Sequence, residues 1–335
     1  MSRNEMTRVA DAVRAVERGE IVVVTDDDDR ENEGDLIMAA CHASPEKLAF
    51  IVRHTSGIVC APMTRKDARR LNLSPMVSDN DAPMSTAFTV SVDVRHGLTT
   101  GISAEERSNT VRALANPNAG AADFVRPGHV FPLIAREGGV LIRSGHTEAA
   151  VDLCQLAGLP PVGVICELVN DDGTVMRGSE VAAFAERHGL RMVSVADLIA
   201  WRQRNERLVE RVAEARIVTP FGPAEVVTFR TPYDPMHHLA VIVGDIRDGV
   251  AIPTRLQRAS VVDDVFGARR TVEHVLERIF AHQRGILVYL REGAVGGAGR
   301  SGDGGRHRPG EASDEAHETA RSRSDNWREI GLGAQ

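Results

Sequence analysis

Lysine is nearly missing from this chain. Of 335 residues only Lys47 and Lys66 are lysine, so arginine carries almost all of the positive charge. The formal net charge is −7. That charge argues for solubility and against the electrostatic footprint of a nucleic-acid binder. Cysteine is also scarce: Cys41, Cys60, Cys154 and Cys166, with no CxxC pair. A disulfide framework is therefore not expected, and free thiols in a reducing cytoplasm are. No apolar run is long enough to span a bilayer, and the start, MSRNEMTRVADAV, carries no apolar signal core. Aromatic residues make up only 4%, yet aliphatic residues suffice for a core. The length fits two domains better than one.

What is present reads as alternating helices and strands. Met6, Val9, Ala12, Val13 and Val16 recur at helical spacing. Ile21–Val24 is a β-branched run that suits a buried strand. Ser44-Pro45-Glu46 opens a helix with a capping serine and proline at the first helical position. Phe88–Asp93 alternates with period two and predicts a strand, and Ser103-Ala-Glu-Glu106 is a capping box. Val162–Val169 predicts a strand closed by the turn Asn170–Gly173. A long polar helix is expected from Val195 to Ala215, serving also as a linker. A smaller unit follows, with strands around Val226–Phe229, Leu239–Val243 and Gly285–Leu290 and a helix over Thr271–Gln283. From Gly293 the chain is rich in glycine, arginine, serine and acids, and predicts disorder. The domains expected are 1–206, 207–292 and a disordered tail over 293–335.

Four segments could carry chemistry. The first, Asp26-Asp-Asp-Asp-Arg-Glu-Asn-Glu-Gly-Asp35, follows a buried strand. It is either a solvated acidic turn or a loop whose crowded carboxylates are relieved by a divalent cation or a polyhydroxylated ligand. A calcium loop fails on spacing, because Glu31 falls where glycine is needed. An aspartyl nucleophile stays open. The second is Gly138 to Ala157: Val140–Ile142 reads as a strand and Glu148 onward as a helix. The junction Arg143-Ser144-Gly145-His146-Thr147 would then be a strand-to-helix turn, where free N–H groups, the helix dipole and Arg143 favour a phosphate. His146 is either a cap or, beside the acidic loop, a ligand for magnesium or manganese. The third is Arg126-Pro-Gly-His129-Val-Phe-Pro-Leu133, read as a turn before an apolar stretch. His129 is there a turn residue or a proton carrier. In the fourth, Gly163–Val169, Glu167 ends an apolar run and is either strand alternation or an acid–base group. Together they suit chemistry on a phosphorylated sugar.

In unbroken order over residues 6–203, DDDDRENEGD, FTVSVDV, TTGISAEER, RPGHVFPL, RSGHTEAAVDL and GVICELV resemble the 3,4-dihydroxy-2-butanone 4-phosphate (DHBP) synthases. The resemblance implies an α+β fold with a mixed sheet, a homodimer whose sites draw on both subunits, and a magnesium ion, or manganese, on Glu31 and His146. It implies that Arg30, Glu31, Asp35, Arg143 to Thr147 and Glu167 bind D-ribulose 5-phosphate, and that His129 and Glu167 are essential for catalysis. It further implies the reaction: enediol formation by loss of the C3 proton, loss of water, skeletal rearrangement and expulsion of C4 as formate. Glu106 departs from the family's aspartate but keeps the charge.

Residues 217–291 resemble GTP cyclohydrolase II, through TPFGPAEVVTFR, MHHLAVIVGDI, DDVFGARR and GILVYLREG, and Arg328–Gln335 resembles a later strip of it. That family's three zinc cysteines align with Ser260, Thr271 and Glu273. With no cysteine after Cys166, the expectation is a truncated, degenerate domain with no zinc and no GTP cyclohydrolase activity. The alternatives are a bifunctional enzyme, which the missing cysteines oppose, and a non-catalytic scaffold of riboflavin enzymes, which the intact motifs oppose. No nucleic-acid or membrane partner is expected.

Overall fold

The computed structural model describes residues 3–27, 30–260, 264 and 271–291. The chain divides into two compact units, Met1–Glu206 and Arg207–Gln335.

The first unit opens with helix α1 (Arg3–Glu17), whose Val9, Ala12 and Val16 are fully buried at helical spacing. Strands β1 (Val22–Thr25) and β2 (Gly34–Ala39) follow; they pair antiparallel through Val23↔Leu36. Helix α2 (Pro45–His54) starts as its sequence predicts: Ser44 Oγ accepts the Lys47 N–H and proline fills the first turn. Then come β3 (Cys60–Met63), α3 (Arg65–Arg70), β4 (Val92–Val94) and α4 (Ala104–Ala115) behind the Ser103–Glu106 capping box. The long strand β5 (Phe124–Ile134) leads to a 3-10 turn at Gly139–Leu141 and to α5 (His146–Leu156). β6 (Gly163–Glu167), α6 (Ser179–His188), β7 (Arg191–Ser194) and α7 (Val195–Asn205) complete it.

The seven strands form one mixed sheet in the order β4-β5-β3-β6-β2-β1-β7, an α+β fold. Both faces are covered. Val23, Leu36 and Met38 join residues of α2, α4 and α6 on one face. Val22, Val24 and Ile37 join α1, α5 and α7 on the other. Double coverage explains why the central strands read as continuous apolar runs.

Several expectations are corrected. Val140–Ile142 is no strand: Gly138 and Gly139 both take positive φ (94° and 60°) and wind the segment into the 3-10 turn, where the Val140 N–H donates to Asp152 Oδ2. The α5 helix begins at His146, two residues before the expected Glu148. Phe88–Asp93 is interrupted; Phe88 and Thr89 make isolated bridges and β4 starts at Val92. RPGHVFPL is not a turn but lies inside β5, which absorbs its proline and glycine at a register shift opposite β4. The helix expected to reach Ala215 ends at Asn205.

The second unit has β8 (Glu210–Thr219), β9 (Gly222–Thr231), β10 (Asp234–Val243), β11 (Thr254–Arg258), α8 (Thr271–Ala281) and β12 (Gly285–Leu290). The sheet order is β11-β12-β10-β9-β8. Pro220-Phe221 turns β8 back onto β9, with Thr219 opposite Gly222. β8 is an edge strand, exposed along nearly its whole length. Its polar, helix-favouring composition is thus that of a solvated edge, where pairing overrides propensity. Ala224, Val243, Leu276, Ile279 and Leu287 pack one face, and Ala240, Ile252 and Ile286 the other. The tail 293–335 lies outside the described residues.

Candidate active site

The acidic loop leaves the end of β1 and is organised by one buried carboxylate. Asp26 Oδ2 accepts from Arg30 Nη1 at 2.7 Å and from the Glu31 N–H at 3.2 Å. Asp26 Oδ1 accepts the Glu33 N–H at 2.9 Å. A single side chain so folds the loop back on itself, and Arg30 also pairs with Glu31 Oε2 at 2.6 Å. The loop returns into β2, where Asp35 stands opposite Glu167 on β6.

Helix α5 brings the second half. Its N-cap is Gly145, which offers no side chain to the first-turn N–H groups. A Cβ at Gly145 would collide with the Arg143 guanidinium and the Glu148 carboxylate. Arg143 is held by Glu148 Oε2 at 2.6 Å, and by Met84 O and Thr86 Oγ1 at 3.1 Å each. Glu148 Oε1 also accepts the Arg136 N–H. The turn thus presents a fixed guanidinium beside an open helix N-terminus, the usual anion cradle.

Arg30, Glu31, Asp35, Arg143, His146, Thr147 and Glu167 line one cavity of about 100 Å³. Ser144 and Gly145 belong to the turn behind it. One ligand atom each from Asp26, Glu31 and His146 lie within 4.8 Å of one another. His146 is buried and its Nε2 has no hydrogen-bond partner, as is true of Asp35 Oδ1. His146 Nδ1 and Asp35 Oδ1 lie 3.8 Å apart. Burial holds the His146 imidazole below the usual histidine range, so it is neutral and has a lone pair to give. A neutral imidazole with an unsatisfied nitrogen beside two carboxylates fits a hard divalent cation. Burial, then the charges of Glu167, Glu31, Glu33 and Asp26, push the Asp35 carboxyl well above its usual range. A buried carboxyl raised in this way by its carboxylate neighbours is suited to proton transfer. Glu167, by contrast, is exposed and accepts from Ser56 Oγ at 3.2 Å. The nearby thiols of Cys60 and Cys166 are raised by burial and stay protonated, hence poor nucleophiles.

His129 does not line this cavity. It sits on β5 with its side chain 42% exposed, fastened to Asp93.

Asp26, Glu148, Asp93, the Met84 carbonyl and the Thr86 hydroxyl are not singled out by the sequence. Asp26 was visible only as one of ten polar residues in the acidic run. Asp93 could have been found as a carboxylate closing an otherwise apolar alternation.

With this geometry in view, the comparisons are specific. Residues 10–201 match the family model for 3,4-dihydroxy-2-butanone 4-phosphate synthase. The chain belongs to the DHBP synthase family. Residues 210–335 match the model for GTP cyclohydrolase II. The "Bifunctional riboflavin biosynthesis protein RIBA 1, chloroplastic" of Arabidopsis thaliana is 45% identical over 340 residues, covering 98% of this chain and 62% of that protein. The chain therefore spans under two thirds of this relative's length. Among solved structures, RibBX, "a two domain 3,4-dihydroxy-2-butanone 4-phosphate synthase from A. baumannii", matches with a TM-score of 0.75 and 38% identity, over 88% of this chain and 84% of that one. A DHBP synthase "in complex with two Magnesium ions" matches with a TM-score of 0.57 and 47% identity, over 59% of this chain and 97% of that one.

Proposed function

We propose that the first unit converts D-ribulose 5-phosphate to L-3,4-dihydroxy-2-butanone 4-phosphate and formate, in riboflavin biosynthesis. The observation that carries this reading is one cavity lined by Glu31 and His146 of the cation cluster, by the buried Asp35 carboxyl, and by Arg143 and Thr147 of the anion cradle. Asp26, Glu31 and His146 would hold magnesium, the ion named for a solved relative, or manganese. Bound there, the ion supplies Lewis acidity toward substrate carbonyl and hydroxyl oxygens. Arg143 and the first-turn N–H groups of α5 hold the phosphate and so set the register of the sugar along the cavity. Asp35 and Glu167, facing each other across β2 and β6, give and take protons at the substrate alongside His129. Because His129 stands outside the cavity lining of its own chain, the working form is proposed to be a homodimer in which a second copy completes the site.

For the second unit the proposal is a domain without GTP cyclohydrolase II activity and without zinc. The matching family model and the bifunctional relative favour the opposite reading. Against it, the chain has no cysteine after Cys166, so a three-cysteine zinc site cannot be built from this unit. Ser260 and Glu273 stand at two of the aligned positions; Thr271 begins α8 at the third. The two-domain synthase from A. baumannii supports a synthase with a second domain. Among the described residues no helix is long and apolar enough to cross a membrane. A cytoplasmic setting, with no membrane or nucleic-acid partner, is part of the proposal.

Formate release tests both units together, since each candidate reaction expels it. Purified protein with magnesium should release formate from ribulose 5-phosphate and none from GTP. Formate from GTP would sink the reading of the second unit. Formate from neither would leave a scaffold.

A further inference from the structure

His129 is held in a way that a strand residue does not need. Asp93 lies between Val92 and Val94 in β4, and its side chain is 3% exposed. Both of its oxygens serve one residue. Asp93 Oδ1 accepts the His129 backbone N–H at 2.9 Å, and Asp93 Oδ2 faces His129 Nδ1 at 2.8 Å. The register shift between Val92 and Asp93 makes this possible, because it turns the carboxylate toward β5. The preceding N–H, that of Gly128, is taken by Ser91 Oγ at 3.1 Å, and a Cβ on Gly128 would collide with the Val92 backbone.

A third element closes the pair. Gly101, at φ +85°, lies so near that a Cβ there would collide with Asp93 Oδ2 and come within 2.7 Å of His129 Nδ1. Its loop is pinned: Glu106 accepts from the Thr99 N–H at 2.7 Å, Thr99 Oγ1 at 2.8 Å and Ser103 Oγ at 2.9 Å. The Asp93–His129 hydrogen bond is thus covered on one side by backbone that leaves no room for a side chain.

A carboxylate only accepts, so the proton of a neutral His129 must reside on Nδ1 and the lone pair on Nε2. We propose that Asp93 is the positioning residue of His129: it fixes the tautomer and the ring plane so that the Nε2 lone pair accepts a substrate proton, the imidazolium formed being stabilised by Asp93. This rests on the reading of the first unit as a synthase that uses His129. A merely structural clamp between β4 and β5 predicts something different. Asparagine in place of Asp93 could still accept the His129 N–H, so the clamp would survive. Its amide nitrogen, however, would donate to Nδ1 and drive the proton to Nε2.

The test is Asp93→Asn in the full chain, read in two ways. Long-range nitrogen–proton NMR of the His129 ring, above its titration range, should show Nδ1–H in the parent and Nε2–H in the variant. On ribulose 5-phosphate, kcat should fall about a hundredfold to ten-thousandfold, with KM little changed, as when a catalytic histidine loses its orienting carboxylate. Asp93→Glu keeps an acceptor-only group and should recover at least about tenfold of that loss. A parent ring protonated on Nε2 would overturn the proposal, as would an Asp93→Asn kcat within about threefold of the parent. A parent that releases no formate would instead break the reading of the whole unit, while the parent's NMR tautomer still decides the clamp. Should Asp93→Asn fail to fold, the parent tautomer and the Asp93→Glu kinetics carry the decision.

Discussion

The two units spend their polar residues differently. In the first, ionisable groups are taken inside: Asp26, Asp35, His146, Glu148 and Asp93 are all buried in a unit whose sheet is covered on both faces. Such burial costs several kcal/mol per uncompensated charge, so it persists only where partners or function sustain it. In the second, the described charges lie mostly outside. The ion pairs Arg211–Glu214, Arg230–Glu210 and Arg247–Asp245 are all exposed, and water screens such pairs so that they contribute little to stability. Its cores are small, and Val218 on the edge strand is 89% exposed. The lesson is that family membership of a segment and possession of its chemistry are separable. The first unit keeps costly interior groups in its candidate site, and the second keeps a sheet whose aligned ligand positions hold no thiols.

The largest effects separate the units by chemistry. Glu31→Gln should cut formate release from ribulose 5-phosphate about a thousandfold or more, equivalent to ~4 kcal/mol, since the cluster loses a charged ligand. Removing divalent ions with a chelator should do the same, and magnesium should restore it. The same variant should leave magnesium-independent properties such as the far-UV spectrum unchanged. An activity loss under tenfold would remove Glu31 from the cation site.

Cavities come next. Leu153→Ala empties a fully buried position between α5 and the sheet, beside the site-bearing turn. It should cost about 2–5 kcal/mol, seen as an earlier loss of formate production on heating. Ile279→Ala in α8, also fully buried, belongs to the same cost class but should leave kcat on ribulose 5-phosphate at 25 °C within about twofold. A solved relative that aligns with only 59% of this chain, over 97% of its own, is the ground for that expectation. A large loss of kcat in Ile279→Ala would show that the second unit supports the reaction. Smaller still, Ser194→Ala removes the cap that accepts the Asp197 N–H at the start of α7. About 1 kcal/mol should be lost in denaturant unfolding, with activity kept.

The same contrast explains what could be read from the sequence. In the first unit periodicity and capping residues were enough for α1, β1, α2 and α4, because local preference and tertiary demand agree there. The reading failed where a tertiary partner overrules the local pattern. Val140–Ile142 looks like a strand but is wound by two left-handed glycines and held by Asp152. Glu210–Ala215 looks helical but is recruited by β9. At the site, the motifs named most of the cavity side chains, because each carries its chemistry locally. Asp26 and Asp93 were not singled out, since their roles exist only through partners: a folded-back loop for one, and a histidine 36 residues away for the other.

The smallest expected effect is a pH dependence of the first unit's stability. α2 and α6 end alike, in Phe50-Ile-Val-Arg-His54 and Phe184-Ala-Glu-Arg-His188. The rings meet: His54 and His188 centroids are 5.0 Å apart, Phe50–His54 4.7 Å and Phe184–His188 4.4 Å. Burial, then His188 and Arg53, hold the His54 imidazole below its ordinary value, against the opposing charge of Asp171. A base with a lowered folded pKa binds more protons when unfolded, so stability rises with pH across that window. Stability should therefore be lost as pH falls through the ordinary histidine value of about 6.5 and level off below the folded pKa. In His54→Gln the thermal midpoint should fall less between pH 7.5 and 5 than in the parent, by an amount modest enough to need the paired comparison. Equal falls in both proteins would mean that the ring cluster tolerates the proton, and that the lowered imidazole contributes nothing to how α2 and α6 hold together.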